Sequence, residues 1–304
     1  MSKPAPAGGP SAPSASMRAM LLLTMAVWGG NLSVVKLLIE RLDPMWVSVL
    51  RMVVATLALW VVLGLRNLPW PRTTPRQTGL LLVCGVLMVY LNQLTFTWGV
   101  QRTAAANAAL IISLNPLIST LVGAALLGDR LTPARLAGVV LGFGGVAAVV
   151  LTRPGAALGS GSLGDLLVLG SVLTWVGGGV LVQHLARQID SAVVSAIVFA
   201  VGTTLLLLHL ALDRSLLLPT WSVFTPGTVL LLVLSGLLAS ALGALVWNRA
   251  LVTLGVARTA LYAYWVPIFG VAFAVLLLGE PLTVWHGIGL AGVLSGTWLG
   301  TRRH

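Results

Sequence analysis

The chain has 304 residues, of which 58% are hydrophobic and 8% are charged, and its mean hydropathy is +1.00. This composition excludes a soluble globular protein and predicts membrane spans of about 20 residues, the length that crosses a hydrocarbon core of ~30 Å. The formal net charge is +11, but the basic residues stand singly between apolar segments and form no stripe of the kind that binds nucleic acid. No nucleic-acid partner is therefore expected.

Residues 1–17 are mainly Pro, Ala, Gly and Ser, too poor in apolar side chains to offset the entropy of ordering, and they predict a disordered tail. Ten apolar segments follow. Each is predicted to be helical because hydrocarbon leaves exposed backbone polar groups unsatisfied, and each is longer than a barrel strand. The predicted helices cover residues 18–38, 46–65, 78–99, 104–127, 133–152, 163–183, 191–211, 227–248, 257–278 and 283–301. The sequence thus predicts an all-α polytopic membrane protein.

Lys and Arg residues are distributed unevenly among the predicted loops. If the N-terminus is cytoplasmic, twelve of them lie on the cytoplasmic side and five on the opposite side, which is the bias of the positive-inside rule. Both termini are then cytoplasmic, and the bacterial inner (plasma) membrane is the expected location. Because each half has five helices, the second half is inverted relative to the first.

Two apolar segments about 151 residues apart carry the same motif. Pro116 lies in a segment that ends in Gly-Asp-Arg-Leu-Thr at 128–132, and Pro267 lies in one that ends in Gly-Glu-Pro-Leu-Thr at 279–283. A duplicated membrane chain with a proline in equivalent helices is typical of transporters built from two related halves, with the site between them. The predicted repeats cover residues 18–152 and 153–301.

Further motifs carry a resemblance to a known family. The first half contains Trp28-Gly29-Gly30-Asn31, then Lys36, Pro44 and Arg51, and a fourth segment running through Pro116 to Gly-Asp-Arg-Leu-Thr-Pro at 128–133. This pattern resembles the EamA-type branch of the drug/metabolite transporter superfamily, and the resemblance covers nearly all of the chain after the tail. It implies ten helices in two inverted five-helix halves, a central cavity, and usually the export of a small metabolite such as an amino acid. The bacterial aromatic amino-acid exporters are similar in architecture.

Proline and asparagine mark two of the predicted helices. Pro116 and Pro267 each remove a backbone donor near the middle of a helix, which either frees a carbonyl for a cavity or produces a packing kink. Asn107 and Asn115 fall on one face of the fourth helix with Ile111 between them. They could line a cavity or hydrogen-bond a neighbouring helix.

Amides and aromatic rings occupy similar depths on other predicted helices. Asn92 and Gln93, with Tyr90 nearby, could hydrogen-bond a zwitterionic or amide-bearing solute or join two helices. Trp28 and Trp175 are repeat mates, about 147 residues apart, near the middle of their helices. We expect these groups to face one cavity.

The ninth predicted helix carries Tyr262 and Trp265 three residues apart, where they could sandwich a flat substrate or simply pack. We expect a solute to be held by amide hydrogen bonds and aromatic contacts and not by a buried ion pair. The predicted substrate-binding residues are Trp28, Asn31, Tyr90, Asn92, Gln93, Asn107, Asn115, Trp175, Tyr262 and Trp265, with Pro116 and Pro267 at gating kinks.

Two basic residues, Lys36 and Arg51, fall near the outer ends of adjacent predicted helices. A cation at that level could attract a substrate carboxylate, or it could snorkel to the interface or pair with Glu40 and Asp43. The second repeat has Val198 opposite Arg51, so the role of Arg51 is confined to one half.

All seven acidic residues fall at predicted helix ends or in loops, so no carboxylate is placed to relay protons at mid-membrane. The sequence offers no phosphate-binding glycine loop, metal-ligand cluster or nucleophile with its base, so no cofactor, metal or catalytic residue is predicted. We expect a secondary transporter, not an enzyme, that exports a small metabolite, foremost amino acids, by alternating access through facilitated diffusion or exchange. The alternatives are a membrane-embedded enzyme acting on lipid or prenyl groups and a non-transporting receptor or scaffold.

Membrane lipid and a small-molecule substrate are the expected partners. Small-residue faces on the fifth and tenth predicted helices indicate close helix packing. Their glycines are Gly138, Gly142, Gly145, Gly289, Gly292 and Gly296. Either the two halves of one chain or two protomers of a homodimer could meet there.

Overall fold

The computed structural model describes residues 15–68, 71–127, 133–151, 163–186, 188–213, 218–254, 259, 262–263 and 265–301. These residues form helices joined by turns and contain no β-strand, so the predicted all-α class is confirmed for this part of the chain. Most of the predicted tail and the loop at 128–132 lie outside the described residues. The same holds for the basic residues Lys3, Arg130, Arg153, Arg187, Arg214, Arg258, Arg302 and Arg303, which entered the orientation argument.

Eleven helices are numbered here in chain order within the described residues. They are α1 Ala15–Ile39, α2 Pro44–Arg66, α3 Pro75–Gln101, α4 Ala105–Ile112, α5 Asn115–Leu127, α6 Pro133–Leu151, α7 Leu163–Leu185, α8 Ser191–Leu212, α9 226–254, α10 Trp265–Leu278 and α11 Val284–Thr301. Helix α1 begins before the predicted boundary at residue 18, because Met17 is buried against Leu21 and Ala250.

Six of these helices, α1, α2, α3, α7, α8 and α9, are long and apolar enough to cross a membrane. Shorter apolar helical segments fall within the other four predicted spans: 105–119, which covers α4 and the start of α5, then 136–148, 265–278 and 284–296. The lengths and composition therefore fit a chain that passes through a membrane several times.

An aspartate begins each of α2 and α8. The Asp43 carboxylate accepts a hydrogen bond of 2.7 Å from the Met45 backbone N–H, and the Asp190 carboxylate accepts one of 2.8 Å from that of Ala192. Each carboxylate satisfies an N–H that the first helical turn leaves free and complements the positive end of the helix dipole. These two acids therefore start helices and do not pair with Lys36 or Arg51.

The fourth predicted helix is broken, and its proline therefore does not lie near the middle of one helix as the sequence predicts. Helix α4 ends at Ile112 and α5 begins at Asn115, with a turn between them. Pro116 is thus the second residue of a new helix, where a missing N–H costs nothing. Pro267 likewise lies in the first turn of α10. Each proline follows a break and does not kink the middle of a continuous helix.

Helices α3 and α9 each contain a π-helical segment, which the sequence pattern did not predict. The segments are Val86–Leu91 and Ser235–Leu242, and they begin 149 residues apart. π-Helical turns are rare and occur frequently at functional sites, because the extra residue disturbs the i→i−4 hydrogen bonds and re-aims side chains. Both segments border the cavity described below.

The last helices of the two predicted halves, α6 and α11, pack together through their glycines. A Cβ atom on Gly145 would lie 2.8 Å from the Gly289 carbonyl oxygen, and one on Gly296 would lie 2.5 Å from the Gly142 nitrogen. Only glycine permits this approach of the two backbones. Of the two arrangements that the sequence left open, the structure shows these faces meeting within one chain, so they do not supply a homodimer interface.

Candidate functional site

A cavity with a volume of about 160 Å³ lies among α1, α2, α3, α7, α8 and α9, beside the break between α4 and α5. Its wall includes polar and aromatic side chains from both predicted halves. The polar residues are Asn31, Arg51, Asn92, Gln93, Asn115, Ser171 and Ser240, and the aromatic ones are Trp28, Phe96, Trp175 and Phe199. A cavity with an apolar lining and a few convergent polar groups is the usual form of a small-molecule site.

Six of the ten predicted substrate-binding residues line this cavity. They are Trp28, Asn31, Asn92, Gln93, Asn115 and Trp175. The two tryptophans, which are repeat mates, meet edge to face with ring centroids 6.3 Å apart. The structure therefore brings the equivalent tryptophans of the two predicted repeats into one contact.

Trp28 also contacts the π-helical segment of α9. Its indole Nε1 donates a hydrogen bond of 2.8 Å to the Ala239 carbonyl oxygen. A carbonyl inside a π segment is displaced from its regular helical partner, and a buried carbonyl without a partner costs about 1–3 kcal/mol. Trp28 thus supports the irregular backbone and places its own ring at the cavity wall.

Tyr90 and Asn107 do not line the cavity. The Tyr90 hydroxyl lies 3.0 Å from Nδ1 of His209 on α8. Tyr90 falls inside the π segment of α3, and such segments point side chains differently from a regular α-helix. Asn107 is buried on α4, with 3% of its surface exposed. The turn after Ile112 places Asn107 on α4 and Asn115 on α5, and of the two only Asn115 is among the lining residues.

Tyr262 and Trp265 also lie away from the cavity. Tyr262 packs against Met17 and its neighbours near the start of α1. Trp265 is 44% exposed and contacts the ring of Phe269, with centroids 5.9 Å apart. Helix α10 begins at Trp265, so these two aromatic residues are not on one face of a single helix. The predicted sandwich is therefore not formed.

Lys36 is bound to backbone carbonyls. Its Nζ donates hydrogen bonds of 2.8 Å to the Val100 carbonyl and 2.6 Å to the Thr103 carbonyl, with a longer contact to Gln101. These carbonyls lie at the end of α3, where a cation complements the helix dipole. Lys36 thus joins α1 to the α3–α4 turn, residues 102–104, and does not face the cavity.

Arg51 has a different position from the one expected at a helix end. Only 2% of its surface is exposed, and it lines the cavity. Its Nε donates a hydrogen bond of 2.6 Å to Ser235 Oγ, and its Nη1 donates one of 3.3 Å to Gln93 Oε1. The guanidinium carbon lies 5.9 Å from the centroid of the Phe96 ring. A buried cation therefore belongs to the wall, contrary to the expectation of amide and aromatic groups alone.

Hydrogen bonds extend from Arg51 in two directions. On one side, Ser235 Oγ donates to Asn31 Oδ1. On the other, Gln93 Nε2 donates to Asn92 Oδ1 at 3.2 Å, and Asn92 Nδ2 donates to the Ser171 carbonyl at 2.8 Å. This polar cluster joins α1, α2, α3, α7 and α9 around one end of the cavity.

Sequence reasoning missed Ser235 and Phe96 because their roles depend on contacts between distant helices. Ser235 is close to Arg51 since Gly236 lets α9 approach α2; a Cβ there would lie 2.6 Å from the Arg51 carbonyl oxygen. Arg51 itself was the one feature of the sequence that pointed to this part of the cavity. A charged residue inside an apolar helix faces the protein interior or a cavity by default, and this rule outweighs the snorkelling alternative.

Known proteins resemble this chain in sequence and in fold. The family model described as the EamA-like transporter family matches residues 16–151 and 162–302. A solved crystal structure that is 19% identical superposes with a TM-score of 0.66, covering 94% of this chain and 96% of its own. At that identity the likeness shows the fold alone.

Curated relatives extend over almost the whole chain. A probable terminal-alkyne amino-acid exporter of Streptantibioticus cattleyicolor is 30% identical over 290 residues, covering 93% of this chain and 94% of that protein. A probable amino-acid metabolite efflux pump of Escherichia coli is 26% identical over 294 residues, covering 92% and 93%. An uncharacterized transporter of Archaeoglobus fulgidus is 29% identical over 294 residues, covering 93% and 96%. The chain is therefore a multi-pass membrane transporter, not an enzyme, and it belongs to the EamA-like transporter family.

Proposed function

We propose that this protein exports a small metabolite, with amino acids as the first class to test, and that the substrate binds in the central cavity. The observation that carries the proposal is the cavity itself, walled by polar and aromatic side chains of both halves. The names of the relatives from Streptantibioticus cattleyicolor and Escherichia coli support amino acids and their derivatives as the class.

Alternating access is the proposed mechanism, and paired irregularities in the two halves support it. The π segments of α3 and α9 begin 149 residues apart, and Pro116 and Pro267 follow equivalent breaks 151 residues apart. Two inverted five-helix repeats, 18–152 and 153–301, account for this pairing. Such repeats can exchange conformations around a fixed site between them.

One end of the molecule is held together by charged groups from three segments. Lys36 binds carbonyls of the α3–α4 turn, and Thr103 in that turn donates a hydrogen bond of 2.5 Å to Asp165 on α7. Glu280, after α10, accepts hydrogen bonds from the N–H groups that begin α4. We interpret these bonds as the closure of the cavity on the side where α1 ends.

The proposed orientation puts both termini in the cytoplasm and this closed side on the outside of a bacterial inner membrane. The bias of Lys and Arg towards the cytoplasmic loops supports it. In a Cys84→Ala background, a membrane-impermeant thiol reagent should label Arg72→Cys only after cell lysis and Arg41→Cys in intact cells. Labelling of Arg72→Cys in intact cells would contradict the orientation.

Efflux from proteoliposomes tests the function directly. Vesicles containing the purified protein are loaded with a mixture of labelled amino acids, and the appearance of each one outside is followed against protein-free vesicles. Faster release of at least one amino acid supports the proposal. Release equal to that of protein-free vesicles for every amino acid and for acylated or alkyne-bearing derivatives would contradict it.

A further inference from the structure

We infer that the cavity recognises the carboxylate of its substrate, with Arg51 as the anchor and the amide nitrogens of Asn31 and Asn115 as further donors. The inference rests on the proposed function and narrows its substrate class to small carboxylates. It follows from the direction of the hydrogen bonds in the polar cluster, from the burial of Arg51, and from the charges that surround the cavity.

Arg51 fixes the orientation of the amides on one side of the cluster. A guanidinium only donates, so the Gln93 atom at 3.3 Å from Nη1 must be the oxygen. The Gln93 nitrogen then faces Asn92, which must present its own oxygen. The Asn92 nitrogen is left to donate to the Ser171 carbonyl. Each amide oxygen along this path therefore accepts a hydrogen bond from the protein.

The hydrogen bonds from Arg51 to Ser235 and Asn31 can be assigned in the same way. Arg51 Nε donates to Ser235 Oγ, so the hydroxyl proton of Ser235 is free to donate, and its acceptor is Asn31 Oδ1. The oxygen of Asn31 is thereby occupied. Its Nδ2 makes no hydrogen bond to any residue that the structure describes, although Asn31 lines the cavity.

Donors without any acceptor thus remain for a bound molecule. Among the described residues, Nη2 of Arg51 and Nδ2 of Asn31 have no hydrogen-bond acceptor. Asn115 Oδ1 accepts from Ser119 at 3.4 Å, and its nitrogen is likewise without an acceptor in the described part of the chain. A carboxylate, which accepts hydrogen bonds through two oxygens, matches such a set.

The positive charge of Arg51 also favours a carboxylate as the ligand. Its contacts within the described residues are a hydroxyl, an amide oxygen and the Phe96 ring, and none of them carries a negative charge. A buried cation without a counter-ion is unfavourable, so Arg51 attracts an anion that enters the cavity. The cavity wall has no acidic residue among its lining side chains.

The remaining surface of the cavity suits the rest of the substrate. Trp28, Trp175, Phe96 and Phe199 provide an apolar wall next to the cluster. Small molecules with a carboxylate at one end and an apolar or aromatic group at the other can use both surfaces at once. The carboxylate is the required group, because the aromatic wall accepts many side chains.

The test compares each acid with its amide in the full-length protein. Proteoliposomes are loaded with the proteinogenic L-amino acids or with the corresponding L-amino-acid amides, which retain the ammonium group and lack the carboxylate. The wild type should export at least one acid about tenfold faster than its amide. This factor is expected because the amide cannot form the charge-assisted hydrogen bonds that the carboxylate makes with Arg51. Arg51→Gln should reduce this ratio to about one.

The ratio of the acid export rate to the amide export rate distinguishes a role of Arg51 in substrate recognition from a role in folding. If Arg51 merely stabilised the helices, Arg51→Gln would lower the export of acid and amide together and leave their ratio unchanged, which would overturn the inference. If Arg51→Gln does not fold, Arg51→Lys retains the charge but not the two-pronged donor geometry, and its ratio should fall at least about threefold. An unchanged ratio for a folded Arg51→Lys would also count against Arg51 as the anchor.

Arg41→Gln is the matched control. Arg41 donates a hydrogen bond of 3.0 Å to Thr228 Oγ1 on α9, an arginine–hydroxyl bond like that of Arg51 to Ser235, but Arg41 is exposed and outside the cavity. The Arg41→Gln variant should have the same ratio of acid to amide export as the wild type. Equal export of acids and amides by the wild type would overturn the inference and leave the transporter proposal standing, whereas export of neither class would overturn both.

Discussion

The carboxylate of Glu280 accepts a hydrogen bond of 2.8 Å from the backbone N–H of Ala105, and its second oxygen accepts one of 3.0 Å from the next N–H, that of Ala106. A residue between α10 and α11 thus caps the start of α4, from the other half of the chain. Lys36 binds the same turn from α1. In the proposed mechanism, opening of the cavity on this side breaks these bonds.

Glu280→Ala should favour the open state of this side. Loss of the cap leaves two N–H groups unsatisfied and costs the closed state about 1–2 kcal/mol, which raises the open population roughly five- to thirty-fold. The measurement is the labelling rate of Ile112→Cys, a cavity residue, by a membrane-impermeant maleimide in a Cys84→Ala background.

Glu40→Ala is the control for this prediction, because Glu40 is an exposed glutamate near the end of α1 that caps none of the described helices and acts on Lys36 only by charge attraction. It should leave the labelling rate of Ile112→Cys unchanged. The same rate for Glu280→Ala and Glu40→Ala would show that the cap does not contribute to closure.

Gly145→Ala should destabilise the packing of α6 on α11. The new Cβ would lie 2.8 Å from the Gly289 carbonyl oxygen, and overpacking of this kind costs about 1–3 kcal/mol. Gly144→Ala is the matched control, because a Cβ on Gly144 has no atom within 4 Å. Thermal unfolding in detergent should show a lower Tm for the Gly145 variant only; equal Tm values would refute the close approach of the two helices.

Trp28→Phe should weaken the π segment of α9. The substitution retains an aromatic ring but removes the donor to the Ala239 carbonyl, and the unsatisfied carbonyl costs about 1–3 kcal/mol. The control is Trp247→Phe, since Trp247 packs on Trp28 but its N–H makes no hydrogen bond to the described residues. The two variants are compared by Tm and by efflux rate, and a loss of similar size in both would assign the effect to ring packing.

Export should proceed down a substrate gradient without an imposed pH difference. Asp165 and Glu280 are engaged at the α3–α4 turn, and the lining side chains of the cavity include no carboxylate. Proteoliposome efflux is therefore measured with equal pH on both sides and with an ionophore present. Strict dependence on a proton gradient would contradict this prediction.

Much of the helix pattern and part of the site could be predicted from the sequence, because apolar segments and a repeat are local signals. Trp28 and Trp175 were paired through the repeat, and they meet in the cavity. Asn107 and Tyr90 are predicted to face the cavity but are not among its lining residues. Their predicted faces assumed continuous α-helices, whereas one helix is broken after Ile112 and the other contains a π segment.

The charged part of the site could not be predicted, since it depends on packing between helices far apart in the chain. Arg51 and Ser235 are 184 residues apart in sequence, and Arg51 Nε lies 2.6 Å from Ser235 Oγ. No periodicity within α2 indicates which residue of α9 approaches it. The position of Gly236 explains the contact once the fold is known.

The claim that the cavity is the transport site is tested most directly by substrate protection of single cysteines. Ile112 lines the cavity, whereas Trp265 is 44% exposed and outside it, so a membrane-permeant maleimide should modify both Ile112→Cys and Trp265→Cys in a Cys84→Ala background. The amino acid that the wild type exports fastest, added at saturating concentration, should slow modification of Ile112→Cys at least about fivefold at 90% occupancy or more, and leave Trp265→Cys unaffected. Equal modification of Ile112→Cys with and without that amino acid, in a variant that still transports it, would contradict the account.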